Sequence, residues 1–252
     1  MTTSALIVLI VLFFVTSVVG VVTGSNSLIT VPVMFQFGIE PRVAVATNMF
    51  GLTFMSIGAT IPFLRRGAID KRKVSPLIVL TLIGSAIGAA LVGFISDKTM
   101  PIIVSVSMII VTIFTLIKPD AGVAKIETVS PNSLTITYVL TFLLGIYGGL
   151  YSGGYVTMLT ACLVAFFGMT FTESVASTKL INVFSSLIAT VIFMWQGLID
   201  YKLGVILAVT MFIAAYVGAK IVTRLNDLWL KRIFLFTVLI LAVKTILDFY
   251  LK

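Results

Sequence analysis

Two short segments rich in glycine and serine carry the residues best suited to bind a ligand. Residues 24–27 read Gly-Ser-Asn-Ser and residues 152–155 read Ser-Gly-Gly-Tyr, and each stands where a short apolar run begins. A helix N-terminus presents unpaired backbone N–H groups and a partial positive charge, and glycine lets that backbone approach a ligand closely. An oxyanion is a suitable guest there, with serine and asparagine as added donors. The candidate ligand-binding residues of these turns are Gly24, Ser25, Asn26, Tyr151, Ser152, Gly153 and Gly154.

The apolar segment after each short run supplies a second pair of polar residues. Thr47 and Asn48 correspond to Ser177 and Thr178 at an offset of 130 residues. Small hydroxyl and amide side chains inside membrane helices either line a site or join neighbouring helices. Because they recur in both halves beside the glycine turns, we interpret them as the second wall of the site.

Lys179 is a basic residue inside an apolar segment, and its partner in the first half is Met49. An ionisable residue in a membrane segment indicates function, and this one could offer a fixed positive charge to an anion. The alternative is that it snorkels toward the membrane surface. Asn182 stands three residues later and would lie on the same helical face.

The chain lacks the side chains that most enzymes use as general bases or metal ligands. It contains no histidine and one cysteine, Cys162, so the commonest general base and metal ligand are missing and no intrachain disulfide can form. We find no clustered nucleophile and base, and no phosphate-binding loop of ATPases. The sequence therefore predicts no enzyme activity, no catalytic residue and no cofactor or metal.

These segments belong to an internal repeat. The stretch from about Thr16 to Val92 recurs from about Ile146 to Val222 at a constant offset of 130 residues and without a gap. In a membrane chain, two diverged copies suggest a transporter whose halves enclose a site and rock around it. Identical pairs include Gly24/Gly154, Thr30/Thr160, Gly38/Gly168, Gly67/Gly197, Asp70/Asp200 and Gly88/Gly218.

Composition places the chain in a membrane. It is 60% hydrophobic and 10% charged, whereas a soluble domain is about a quarter charged. We read the first apolar run as a retained helix rather than a signal peptide. The two short runs, Ser27–Phe37 and Val156–Phe167, would span only about half the hydrocarbon core. The predicted long spans are Ala5–Val22, Val43–Leu64, Val74–Ile95, Ile102–Ile117, Leu134–Leu150, Phe171–Met194, Leu203–Val222 and Ile233–Tyr250.

The distribution of basic residues indicates opposite orientations for the two halves. The loop Arg65–Lys73 is basic and its counterpart Trp195–Leu203 is nearly neutral, whereas Lys220–Arg232 is basic and its counterpart Ala90–Ile102 is not. Short loops rich in lysine and arginine mark the cytoplasmic side, so equivalent loops lie on opposite sides. The net charge of +8 therefore reports topology rather than nucleic-acid binding.

The predicted fold is all-α: a polytopic protein of the cell (inner) membrane with two inverted-topology repeats. Each repeat has a hairpin of one full and one half-length helix, followed by three long transmembrane helices. Tracing the loops places both termini on the non-cytoplasmic face. We divide one integrated membrane domain into a first repeat (1–118), a polar linker (119–131) and a second repeat (132–252).

The motifs resemble a known family. The stretch Gly20–Pro32 with residues 38–48 (Gly-Ile-Glu-Pro-Arg-Val-Ala-Val-Ala-Thr-Asn), and residues 148–154 (Gly-Gly-Leu-Tyr-Ser-Gly-Gly) with Gly168 to Lys179, resemble the two halves of the sulfite exporter TauE/SafE family. The resemblance covers essentially the whole chain. It implies a membrane carrier of small sulfur-containing anions such as sulfite, thiosulfate or sulfonates.

The expected function is therefore export or facilitated passage of such an anion by alternating access. Moving one negative charge out of a cell is favourable by about 2.3 kcal/mol per 100 mV, so export needs no coupling ion. Few carboxylates stand in the long segments, which disfavours a proton relay, whereas a Na⁺ site of backbone carbonyls stays open. The alternatives are a channel, a carrier of a carboxylate or an inorganic cation, and a non-transporting subunit of a membrane complex. The partners expected are the anion and the lipid bilayer; a homo-oligomer is compatible with the sequence.

Overall fold

The computed structural model describes residues 3–24, 26–106, 130–226, 228, 229, 232 and 236. All regular secondary structure in these residues is helical, as predicted. Of the predicted segments, most of Ile102–Ile117, most of the linker and nearly all of Ile233–Tyr250 lie outside the described residues. The helices are α1 (Thr3–Thr23), α2 (Ser27–Gln36), α3 (Pro41–Arg65), α4 (Lys71–Val92), α5 (100–106), α6 (Pro131–Leu150), α7 (Tyr155–Phe166), α8 (Phe171–Trp195) and α9 (Tyr201–Val222).

Six of the described helices are long and apolar enough to cross a membrane, namely α1, α3, α4, α6, α8 and α9. The two short apolar helices, α2 and α7, have 10 and 12 residues. At about 1.5 Å per residue each covers about half of a bilayer's hydrocarbon core. The prediction of a polytopic all-α membrane protein is confirmed.

The repeat is visible in the backbone as well as in the sequence. Three pairs of glycines separated by 130 residues have positive φ: Gly24 and Gly154, Gly38 and Gly168, Gly67 and Gly197. Helices α3 and α8 both have 25 residues, and α4 and α9 both have 22. The two copies thus turn and break at equivalent positions.

Equivalent helix starts also use equivalent caps. The Asp70 side chain accepts hydrogen bonds from backbone N–H groups in the first turn of α4, and Asp200 accepts one from the Leu203 N–H of α9 at 3.1 Å. Such caps satisfy donors that the helix itself leaves unpaired. A capping box of Thr170 and Glu173 starts α8.

The two halves interlock through their long helices. Helices α3 and α8 cross antiparallel, because Thr53 contacts Thr190 while Ser56, further along α3, contacts Asn182, which comes earlier in α8. Each half's first helix packs on the other half, α1 against α9 and α6 against α4. Glycine permits the close approach, since a Cβ built on Gly88 would overlap the Ile146 carbonyl oxygen.

Apolar side chains cover the outer surface. On α9, residues four apart point outward and are about half exposed. The same spacing occurs on α4. A face of this kind suits lipid, because only the hydrocarbon of a bilayer makes such exposure favourable. The exposed rows are Val79, Ile83, Ile87 and Leu91 on α4, and Val205, Val209, Ile213, Val217 and Ile221 on α9.

Candidate functional site

The two glycine turns lie against each other in the centre of the molecule. Gly24, with φ +69°, leaves no room for a side chain, since a Cβ there would lie 2.7 Å from the Val156 Cβ and 2.8 Å from the Thr157 nitrogen. The Thr157 hydroxyl donates to the Thr23 carbonyl at 2.5 Å. The end of α1 and the Gly24 turn are therefore in direct contact with the first residues of α7.

Side chains continue this contact between the halves. The hydroxyls of Ser27 and Ser152 are 2.7 Å apart, and the Tyr151 hydroxyl donates to the Ser27 carbonyl at 2.9 Å. Tyr151 is fully buried and Ser152 is 6% exposed. Hydroxyl pairs of this kind can exchange their mutual hydrogen bond for bonds to a ligand's oxygen atoms.

The second wall is built in the same way in each half. In the first half, the Asn48 amide donates to the Ser27 hydroxyl at 2.8 Å and Asn48 Oδ1 accepts from Thr30 at 2.9 Å. In the second half, the hydroxyls of Thr160 and Thr178 are 3.2 Å apart. Thr30 and Thr160, like Asn48 and Thr178, are equivalent by the offset of 130 residues. The repeat therefore preserves a hydrogen-bonded pair between the short helix and the following long one.

Lys179 is buried beside the first turn. It is 3% exposed, and its amine donates to the Gly20 carbonyl at 2.8 Å. The same carbonyl accepts from the Gly24 N–H at 2.9 Å, which closes the turn at the end of α1. The structure thus places the amine inside the protein rather than at the membrane surface. No carboxylate of the described residues pairs with it.

Asn26 and Asn182 bind side chains of neighbouring helices. The Asn26 amide donates to the Ser17 hydroxyl at 3.1 Å and approaches the Met55 sulfur at 3.3 Å, whereas its Oδ1 is buried without a hydrogen-bond partner. Asn26 does not cap α2 with its side chain. The Asn182 amide donates to the Ser56 hydroxyl at 2.6 Å and so joins α8 to α3.

Several candidate residues have other surroundings. The Thr47 hydroxyl accepts from the Asp200 backbone N–H at 3.0 Å, so it holds the turn before α9. The Ser177 hydroxyl is buried without a hydrogen-bond partner. The Gly153 carbonyl accepts from the Tyr147 hydroxyl, and Gly154, at φ +79°, precedes α7. Ser25 lies outside the described residues.

The buried hydroxyl, amide and amine groups around the two glycine turns form one polar cluster. Four of its members were not among the candidates chosen from the sequence. They are Ser27, Thr30, Thr157 and Thr160, all of them 2% exposed or less. A signal was available, because Ser27/Thr157 and Thr30/Thr160 are polar in both copies of the repeat. Equivalent hydroxyls on two short apolar helices indicate a shared role more strongly than either residue does by itself.

The cluster's chemistry favours a negative guest. It offers hydroxyls, amides and one lysine amine, and the described residues contain no group of three or more histidine, cysteine, aspartate or glutamate side chains placed to hold a metal ion. Charge-assisted and neutral donors suit the oxygens of an anion. The polar side chains of the cluster are 0–6% exposed, whereas Gly24 in the first turn is partly exposed.

An ion pair joins two first-half elements outside this cluster. The Arg42 guanidinium contacts the Asp97 carboxylate at 3.0 Å (Nε–Oδ1) and 2.8 Å (Nη2–Oδ2). These hydrogen bonds hold the pKa of Asp97 below its ordinary value. The pair ties the start of α3 to the loop after α4, and both side chains are about one-third exposed (30% and 35%). It is therefore a structural contact at the end of the bundle.

A groove of about 350 Å³ lies on the surface that α3 and α9 share. It is lined by Phe50, Phe54, Val205, Ala208, Val209 and Phe212. These side chains offer no hydrogen-bond donor or charge to an anion. The groove is part of the apolar surface rather than of the polar cluster.

The fold and the buried polar cluster define a polytopic membrane protein of the transporter class. The model of the family described as "Sulfite exporter TauE/SafE" matches residues 8–245. The chain therefore belongs to the sulfite exporter TauE/SafE family of membrane transporters, as its motifs suggested, and not to a class of enzymes.

Similar proteins from several bacteria have the same broad description. The chain is 25% identical over 236 residues to the "Probable membrane transporter protein ORF9" of Sinorhizobium sp., covering 93% of this chain and 90% of that protein. It is 24% identical over 241 residues to the "Probable membrane transporter protein YfcA" of Escherichia coli K12, covering 94% and 89%. It is 23% identical over 231 residues to the "Probable membrane transporter protein YdhB" of Bacillus subtilis 168, covering 90% and 94%. No solved structure matches the chain.

Proposed function

We propose that this protein carries small sulfur-containing oxyanions, such as sulfite, thiosulfate or sulfonates, through the polar cluster where α2 and α7 begin. The observation that supports this most strongly is the contact between the two glycine turns, with Ser27, Ser152, Asn48 and Lys179 as donors around it. Two helix N-termini and a lysine together create a positive potential in a region shielded from water.

The proposed mechanism is alternating access between two inverted-topology halves. The antiparallel crossing of α3 and α8, which are equivalent helices, supports the inversion. The hydrogen bonds between the halves are individually weak, about 0.6 kcal/mol on average inside membranes. A ligand that supplies replacement acceptors can therefore open one side of the cluster at low cost. The resting membrane potential then favours export of an anion without a coupling ion.

The test is uptake into proteoliposomes of labelled sulfite and of a labelled sulfonate, with and without an imposed inside-positive potential. We expect uptake that rises with the potential. The double substitution Asn48→Leu with Thr178→Val removes the equivalent donors of both long helices and should lower uptake at least tenfold. Thr210→Val is the control, because the Thr210 hydroxyl bonds only the Ile206 carbonyl of its own helix in the described contacts.

Three outcomes would contradict the proposal. Absence of uptake by the purified wild type would favour a subunit that does not transport. Selective uptake of carboxylates over sulfur oxyanions would change the substrate class. Unchanged uptake by the double variant, with its folding verified by the unfolding temperature, would remove Asn48 and Thr178 from the site.

A further inference from the structure

We infer that the transported anion carries a single negative charge and that Lys179 sets this limit. The inference rests on the proposed function and narrows its substrate class. Hydrogensulfite and alkanesulfonates fulfil the condition, whereas sulfate, thiosulfate and fully ionised sulfite do not.

Lys179 lies apart from every other charged side chain of the described residues. Among the described residues, Lys179 is the one charged side chain that is buried. The one ion pair that they form is Arg42–Asp97, at the end of the bundle. A buried ammonium without a counter-ion costs several kcal/mol, and one carbonyl, that of Gly20, does not neutralise it. An anionic ligand would supply that counter-ion.

Asn26 has an unused acceptor next to Gly20, the residue that the Lys179 amine contacts. Asn26 is 3% exposed, and its Oδ1 has no hydrogen-bond partner. Asn26 lies next to Gly20, whose carbonyl accepts the hydrogen bond from Lys179. A Cβ built on Gly20 would lie 3.2 Å from the Asn26 Cβ. A buried acceptor without a donor is unfavourable, and a protonated oxyanion brings a donor. Hydrogensulfite, which keeps a proton, would meet both the Lys179 cation and this free acceptor, whereas a sulfonate meets the charge condition alone.

The charge balance then selects between ligands of similar shape. A monoanion beside the Lys179 ammonium forms a neutral pair, and hydroxyls and amides bind its remaining oxygens. A dianion would leave one uncompensated negative charge in the same surroundings, at a cost of several kcal/mol. The remaining donors of the cluster, including Ser27, Ser152 and Asn48, are neutral, and the two helix N-termini offer only partial charges, so they compensate a second full negative charge less completely than a second cation would.

Because of the repeat, the positive charge of Lys179 in α8 can be moved by substitution to the equivalent position in α3. Met49 occupies the position in α3 that Lys179 occupies in α8, and it is fully buried. Lys179→Met should therefore abolish monoanion binding, and adding Met49→Lys should restore it from the other half. Met49→Lys in the wild-type chain creates a second cation and should permit a dianion to bind.

The experiment measures the thermal unfolding of the purified chain in detergent with methanesulfonate or sulfate, each against chloride at equal ionic strength. Wild type should be stabilised by methanesulfonate with an apparent affinity at least tenfold higher than for sulfate. Lys179→Met should lose this response, Lys179→Arg should keep the preference, and the exposed Lys202→Met is the matched control that should behave as wild type.

The results distinguish a failure of the charge limit from a failure of the proposed oxyanion site. Equal stabilisation by sulfate, or a response kept by Lys179→Met, would overturn the charge limit and leave oxyanion transport standing. If neither anion stabilises the wild type, the proposed oxyanion site fails and the charge limit fails with it. Should Lys179→Met not fold, the wild-type comparison and Lys179→Arg still decide the question.

Discussion

Gly24 shows how one residue can determine whether the two halves meet. Its φ of +69° lies in the left-handed region, and the atoms of Val156 and Thr157 fill the space where a side chain would stand. Gly67 has almost the same φ, +66°, but a Cβ there meets nothing within 4 Å. A comparison of Gly24 with Gly67 therefore distinguishes the effect of backbone strain from the effect of contact between the turns.

Gly24→Ala should therefore destabilise the protein more than Gly67→Ala. Both variants pay roughly 1–2 kcal/mol for a left-handed residue with a Cβ. Gly24→Ala must in addition displace the start of α7, so we expect a lower unfolding temperature and a loss of anion uptake. Measuring both variants in the same detergent and in proteoliposomes gives the comparison, and equal behaviour of the two would show that the turns are not tightly apposed.

The sequence could identify most of the candidate site, but not how its members pair. Glycine and serine turns before short apolar runs located Gly24, Asn26, Ser152 and Gly154, because helix N-termini have recognisable residue preferences. The use of the Thr47 hydroxyl by the Asp200 N–H could not be predicted, since it joins residues 153 positions apart. Contacts of this kind depend on the packing of the two halves, which hydropathy does not encode.

The predicted long spans agree with the observed helices to within three residues, and most of the differences lie at their first turns; the predicted end of Val74–Ile95 is three residues too late. The predicted Val74–Ile95 is observed as Lys71–Val92, and Leu203–Val222 as Tyr201–Val222. Hydropathy begins a span at the first apolar residue, whereas the Asp70 and Asp200 caps start the helices earlier. Both ends of the half-length helices α2 and α7 were predicted within one residue. Glycine or serine stands at their starts, and glycine follows their ends.

Close helix packing makes a second prediction, on the contact of α4 with α6. Gly88→Ala would drive a Cβ into the Ile146 backbone, which cannot move as a flexible side chain can. Gly204→Ala is the matched change in α9, where the nearest atom is Phe50 Cδ1 at 3.2 Å. Gly88→Ala should cost about 1–3 kcal/mol of stability, whereas Gly204→Ala should change it little. Similar unfolding temperatures for the two variants would contradict the tight α4–α6 contact.

For the whole molecule, the proposed inverted arrangement predicts where equivalent residues lie across the membrane. Lys71 and Tyr201 are the first residues of α4 and α9, are both exposed, and are equivalent by the repeat. The antiparallel crossing of α3 and α8 implies that these two positions lie at opposite ends of the bundle. The basic loop before α4 predicts that Lys71 lies on the cytoplasmic side.

Single cysteines introduced at these two positions test the inversion. In a Cys162→Ala background, Tyr201→Cys should react with a membrane-impermeant maleimide in intact cells. Lys71→Cys should react only after the membrane is permeabilised. Labelling of both cysteines from the same side would show that the repeats are parallel, and would exclude the proposed transport mechanism.

In the proposed mechanism the anion crosses between the two halves, and the turns before α2 and α7 must separate to let it pass. Ser27 and Ser152 bring their hydroxyls within 2.7 Å, too close for any anion to lie between them. Cysteines at both positions, in the Cys162→Ala background, should form a disulfide that holds the halves together. A sulfonate is the appropriate labelled substrate, because sulfite itself cleaves disulfides.

The decisive measurement is sulfonate uptake by this double-cysteine protein in proteoliposomes, before oxidation, after oxidation and after reduction. Each single-cysteine protein serves as a control for the oxidant. We predict uptake in the reduced state, a loss of at least tenfold on cross-linking, and recovery when the disulfide is reduced. Undiminished uptake by fully cross-linked protein would show that the anion takes another path, and would contradict the account.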